Sequence, residues 1–161
     1  MRQISEAGKK LIQEFESCAR IGEDGWVYPY LDAVGVPTIG WGSTFWKNGN
    51  PVEMSDSAIS QKDADDLFLY TLKNYVDGVN RLVTAEINQP QFDALVSFAY
   101  NEGCEALHQS TLLKKLNINP NDPTIRDEFA KWVMATGPDG NLVTLPGLVI
   151  RRKREAEIYF S

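Results

Sequence analysis

Apolar residues fall at Ile4 and, after a serine at position 5, at Leu11, Ile12, Phe15 and Cys18 or Ala19. That spacing tracks one face of a helix and predicts an amphipathic segment from about residue 5 to 19, with Glu16 at its C-terminal end. Between residues 26 and 52 the pattern changes. Trp, Tyr, Val and Thr are interleaved there with Gly35, Gly40, Gly42, Gly49, Pro29, Pro37 and Pro51. This is the only stretch that reads as short strands joined by turns, so a small β lobe is expected on an otherwise helical chain, an α+β class that is mainly helical. Helical spacing resumes after Ser55 and Ser60 with Ala64, Leu67, Phe68, Leu72, Tyr75, Val76, Val79 and Leu82. Asp63, Asp65 and Asp66 stand near its start, where the helix dipole favours anions. At roughly 20 residues this helix is long enough to link two lobes.

Further along, "QPQFDALVSFAYNEG" predicts a helix from about Asn88, with Pro90 in its first turn and Gly103 as its stop. Ser110 is placed to cap "TLLKKLN", and Asp122 with Pro123 to open "PTIRDEFAKWVMAT", which Gly137 ends. "GPDGNLVTLPG" reads as a loop, and a last helix is expected from about Leu148 to Phe160. The expected lobes are residues 15–60 and 61–161 of one domain, with the first helix packing on the second lobe.

The 161 residues suit one domain with a real core, and 43% hydrophobic with 24% charged usage disfavours wholesale disorder. "MRQISEAGKK" has no apolar leader, and no stretch stays apolar for the roughly 18 residues of a membrane span. Synthesis in the cytosol, no membrane insertion and assisted exit are the expectations. Cys18 and Cys104 are the only cysteines; they read as free thiols, with a bond between them as the alternative. His108 is the only histidine, which disfavours Ser-His-Asp and zinc hydrolysis together and leaves it a surface role. With no metal-ligand cluster and no Gly-rich phosphate loop, no cofactor is expected. A net charge of −6 argues against nucleic acid as a partner. "RRKRE", from Arg151 to Glu155, is either a solvated helix face or a source of cations aimed at an acidic site.

Glu16, Asp32 and Thr38 form the candidate chemistry. A carboxylate at a helix C-terminus meets the negative end of the dipole, a poor place for a merely stabilising surface residue. Breaking a glycosidic bond needs two carboxyl groups, one donating to the leaving oxygen and one acting on water. Thr38 lies across the "DAVGVP" turn from Asp32, so a hairpin would return its hydroxyl toward that carboxylate to hold a water.

"FES" at the helix end, "YLDAVGVPTIGWGST", "QPQFDALVSFAYNEG", "STLLKKLN" and "PGLVIRRKREAEIYF" together resemble the phage-type lysozymes, or endolysins, of glycoside hydrolase family 24. The resemblance covers nearly the whole chain with its segments in order. It implies a lysozyme-like fold with a small β-containing N-terminal lobe, a long linking helix, a helical C-terminal lobe and a saccharide cleft. It also implies Glu16 as general acid, Asp32 as general base or electrostatic partner, and Thr38 as the group that positions water. Less directly it implies Tyr100, Asn101, Ser110 and Thr111 as substrate contacts and Arg151 as the partner of the acid, with Arg152 and Arg154 competing on register. For Tyr100 core packing is the preferred plain reading, and for Ser110 an N-cap serves equally well. The implied reaction is hydrolysis, with inversion, of the β-1,4 bond between N-acetylmuramic acid and N-acetylglucosamine in peptidoglycan by a monomer. The implied setting is a host cytoplasm, with release to the wall through a partner pore. A lytic transglycosylase and a non-catalytic wall-binding module are the alternatives.

Three departures from the family pattern stand out. "RIGEDGW" lengthens the stretch between Glu16 and Asp32 and reads by default as a tolerated surface hairpin. Ser43 stands where many relatives carry a histidine, and Pro37 stiffens the approach to Thr38. The acidic balance removes long-range steering toward an anionic wall, so wall activity is expected to stay flat or rise with moderate salt.

Overall fold

The computed structural model describes residues 1–18 and 20–161. The chain divides into two compact units, residues 13–74 and residues 1–12 with 75–161. The sequence reading had divided the chain between residues 60 and 61.

The first helix, α1, runs Glu6–Glu16. Ser5 starts it, its hydroxyl accepting from the Gly8 N–H at 3.1 Å. It stops short of the expected residue 19, because Ser17 takes φ 48, a left-handed conformation that cannot continue the helix. Ala19 lies outside the described residues.

In the unit of residues 13–74, β1 (Tyr30–Leu31) and β2 (Pro37–Thr38) form an antiparallel hairpin. The long helix α2 (Gln61–Leu82) starts on Ser60, whose hydroxyl accepts from the Asp63 N–H. Val27, Ile39, Val52, Ala64 and Leu67 are buried together, with Cys18, Trp46 and Ile59 packed against them. The "RIGEDGW" stretch folds into its own small hairpin, with Ile21 bridged to Val27 and the Asp24 carboxylate accepting from Tyr28 Oη at 2.6 Å.

In the other unit α3 (Gln89–Glu102) is buried continuously from Gln91 to Tyr100. It starts on Asn88 with Pro90 in the first turn, as the sequence predicts, and Asn88 and Gln91 close a reciprocal capping box there. Around it lie α4 (Cys104–Gln109), α5 (Thr111–Ile118), α6 (Ile125–Ala130) and α7 (Pro146–Tyr159). The short α4 was not anticipated. Phe98 meets Phe129 and Trp132 edge-on, with ring centroids 5.9 and 5.4 Å apart. Such T-shaped contacts add about 0.5–1.5 kcal/mol each to the burial itself.

Two further expectations are corrected here. The helix over "PTIRDEFAKWVMAT" ends at Ala130, and the supposed loop after it is half of a second antiparallel hairpin, β3 (Met134–Thr136) with β4 (Leu142–Thr144). Gly140, at φ +82, turns the chain between them. The last helix begins at Pro146, because proline has no N–H and so loses nothing in a first turn whose N–H groups lack intrahelical partners.

The basic run on α7 is only half solvated. Arg151 and Arg152 are buried, whereas Arg154 is exposed. Both buried cations converge on Glu155, which is wholly inaccessible and also accepts from Ser97 Oγ at 2.7 Å. Arg152 in addition donates Nε to the Trp132 carbonyl at 2.9 Å and lies over the Phe98 ring.

Candidate functional site

Glu16, Asp32 and Thr38 all belong to the unit of residues 13–74. Glu16 is the last residue of α1 and is half-buried. Its carboxylate lies against the backbone of Gly42: a Cβ added there would stand 2.6 Å from Oε2 and 3.3 Å from Cδ. Gly42 also holds φ +89, so both its conformation and its missing side chain are needed for this approach. Gly42 sits in a tight reversal, closed by the Ile39 N–H to the Ser43 carbonyl at 2.9 Å and the Ser43 N–H to the Ile39 carbonyl at 3.1 Å. Ser43 is itself buried, its hydroxyl 3.3 Å from that of Thr71 on α2.

Asp32 opens the β1–β2 turn. The Gly35 N–H donates to the Asp32 carbonyl at 3.0 Å and Gly35 takes φ +84, the geometry of a turn closed by a glycine bulge. The aspartate side chain is part of that turn. Its Oδ1 accepts from the N–H groups of Val34 and Val36 at 2.9 and 2.8 Å. Oδ2 accepts no hydrogen bond among the described residues and is left for a ligand or water. One oxygen therefore fixes the carboxylate and the other is available for chemistry.

Thr38 is buried on β2, and the register pairs it with Tyr30. Paired residues share a face of the ribbon, so Tyr30 and Thr38 are on one face, and Asp32 follows directly in the turn. The Thr38 hydroxyl donates to the Val36 carbonyl at 2.9 Å, which sets the rotamer and leaves its lone pairs as acceptors. Tyr30 was not singled out in the sequence. Burial, and then the acidic groups Glu16, Cys18 and Asp32 around it, push its phenol up to about 12. Burial and the Asp65 carboxylate likewise push the Cys18 thiol up.

In the other unit Tyr100 is buried against Tyr75, with ring centroids 5.1 Å apart. Asn101 is exposed, yet its side-chain carbonyl accepts from Arg152. Ser110 caps α5, accepting from the Leu113 N–H at 3.0 Å and donating to the Leu107 carbonyl, and Thr111 is exposed on the first turn. Arg151 donates to Glu155 at 3.1 Å and to the Ser97 carbonyl at 3.1 Å. Cys18 and Cys104 are free thiols. Among the described residues no group of three His, Cys, Asp or Glu side chains could hold a metal ion, and no helix is long and apolar enough to cross a membrane.

The sequence named the two carboxylates and the threonine but missed Gly42 and Tyr30. For Gly42 the signal was present: two glycines flanking Trp41 in "TIGWG" suit a reversal that admits a close neighbour. For Tyr30 it was its place across the turn from Thr38.

Residues 23–155 match the profile of a family described as Phage lysozyme. The chain is similar to an endolysin of Bacillus phage B103, 37% identical over 98% of this chain and 54% of that protein. It is similar also to an endolysin of Salmonella phage P22, 36% identical over 82% of this chain and 85% of that one. The chain thus spans about half the length of its Bacillus phage relative. Among solved structures, an endolysin from Escherichia coli O157:H7 phage FAHEc1 superposes with a TM-score of 0.87 at 33% identity, covering 99% of this chain and 94% of that one.

Proposed function

The chain belongs to the phage lysozyme family, and from that membership we propose that it is a muramidase acting on bacterial peptidoglycan. The bond cut is the β-1,4 link between N-acetylmuramic acid and N-acetylglucosamine. Glu16, in its protonated form, donates its proton to the leaving glycosidic oxygen as the bond to C1 breaks. A water held by Asp32 and Thr38 attacks C1 from the opposite face and passes its proton to Asp32. One displacement inverts the anomeric centre, and proton exchange with solvent restores both carboxyl groups.

The observation that supports this most is the division of labour within Asp32, whose Oδ1 is committed to the turn that leads to Thr38 while Oδ2 accepts no hydrogen bond among the described residues. A carboxylate oriented by two backbone N–H groups needs no reorganisation to accept a proton. The same reading takes Tyr100, Asn101, Ser110 and Thr111 as sugar contacts and Arg151 as support for Glu16. Action as a monomer, synthesis in a host cytosol and release to the wall through a partner's pore belong to it too.

The test is mass spectrometry of soluble fragments from purified peptidoglycan, with Glu16→Gln as the inactive control. Reducing-end muropeptides from the parent alone are expected, and proton NMR of the first product should show the α anomer. Anhydro ends would replace the reading with a transglycosylase, and the absence of fragments with a wall-binding role.

A further inference from the structure

The constellation of Glu16, Asp32 and Thr38 lacks one thing that a sugar requires, a neutral donor still free to donate. An ionised carboxylate only accepts, the proton of Glu16 is consumed by the leaving oxygen in the reaction proposed above, and the Thr38 O–H is already given to the Val36 carbonyl. An N-acetylated sugar carries carbonyl and hydroxyl oxygens that lose a water when it binds and need a replacement donor.

Tyr30 supplies it. It is the strand partner of Thr38 and is half-buried, and Glu16 at the end of α1, Cys18 just beyond it and Asp32 in the turn all lie near enough to act electrostatically on its phenol. Its hydroxyl makes no hydrogen bond among the described residues, so the fold does not consume that proton. We propose that Tyr30 is a substrate-positioning residue, donating its phenol O–H to an oxygen of the N-acetylated sugar held at Glu16 and Asp32. The inference rests on the muramidase reading for its substrate. The burial and negative surroundings of Tyr30 give the role its durability, since they keep the phenol protonated throughout the range in which the carboxyl groups act.

The experiment compares Glu16→Gln with the double variant Glu16→Gln, Tyr30→Phe by calorimetric titration with the tetramer of N-acetylglucosamine. It is paired with turnover of peptidoglycan by the single Tyr30→Phe variant. Loss of one hydrogen bond of ordinary strength predicts about tenfold weaker binding, and about tenfold higher KM with kcat little changed. A merely structural tyrosine would instead lower the melting temperature and leave KM in place. A folded Tyr30→Phe protein with unchanged affinity and KM overturns the inference.

Should Tyr30→Phe fold poorly, 3,5-difluorotyrosine at position 30 keeps the shape with a more acidic phenol. KM should then climb with pH where the parent is flat, and a flat profile overturns the inference equally. If the parent releases no fragments yet the affinity difference persists, the muramidase reading falls and the Tyr30 contact stands. If the parent cuts and Tyr30→Phe changes nothing, the reverse holds.

Discussion

Replacing Gly42 by alanine isolates the position of one carboxylate from the stability of the fold. The added Cβ would stand 2.6 Å from Glu16 Oε2, so the carboxylate must retreat by about 0.8 Å to reach the 3.4 Å at which ordinary contact begins. Oε2 is the end of a flexible side chain, so the carboxylate can give way without the backbone of α1 moving. The backbone is the larger cost: an L-residue at φ +89 costs about 1–2 kcal/mol. A displacement near 1 Å can cost about 100-fold in rate when the moved group takes part in the chemistry. Gly42→Ala should therefore lose about 10- to 100-fold in kcat on peptidoglycan. Gly49→Ala is the matched control, because Gly49 has nearly the same φ, +88, and nothing within 4 Å of its added Cβ. Urea unfolding should report similar destabilisation for the two variants, while fragment release falls only for Gly42→Ala. Equal destabilisation with undiminished kcat in both would refute the claim that the seat of Glu16 governs the reaction.

Four other outcomes follow from the same geometry. Asp32→Asn keeps an oxygen for the Val34 and Val36 N–H groups, so stability should hold within about 0.5 kcal/mol while activity is lost; Asp32→Ala should cost a further 1–2 kcal/mol or so of unfolding free energy as the turn loses its acceptor. Thr38→Val gives up one hydrogen bond of 2.9 Å, about 1 kcal/mol, and should abolish most turnover, whereas Thr38→Ser should retain it. Glu128 is held below the usual carboxylate range by Lys131 and Lys115, so the folded state binds fewer protons than the unfolded one. The stability this gives is full above about pH 4.5 and is lost as pH falls through the lowered value, so Glu128→Gln should flatten the acid limb of a stability profile. Whole-wall activity should stay flat or rise with moderate salt, and a steep fall would count against the acidic-surface reasoning.

What the sequence made legible were features whose cause is local. Asn88 with Pro90 spells the start of α3, and Ser110 the start of α5, because capping is decided within four residues. The pair Asp32 and Thr38 was legible because a Gly-containing turn between short strands fixes their separation. The second hairpin was lost because "MAT" continues the spacing of α6 and because three-residue strands carry too few alternations to outweigh a helix. Ser17 could not be foreseen as the stop of α1, since serine has no preference for a left-handed backbone. The burial of Arg151 and Arg152 was only half visible: four cations in five positions read as a wet surface until Ser97 and Glu155 supply partners from two helices.

The stretch from Asp32 to Thr38 carries within seven consecutive residues the bonds that shape it: the carboxylate to Val34 and Val36, the carbonyl to Gly35, and the Thr38 hydroxyl to Val36. A segment that writes its own geometry in this way is portable. Grafted between two antiparallel strands of an unrelated scaffold, it should present an oriented aspartate and a threonine with the same mutual placement, without the helices that accompany it here. The reverse also holds, because lengthening or shortening this turn by a single residue should unseat the carboxylate and the chain reversal together.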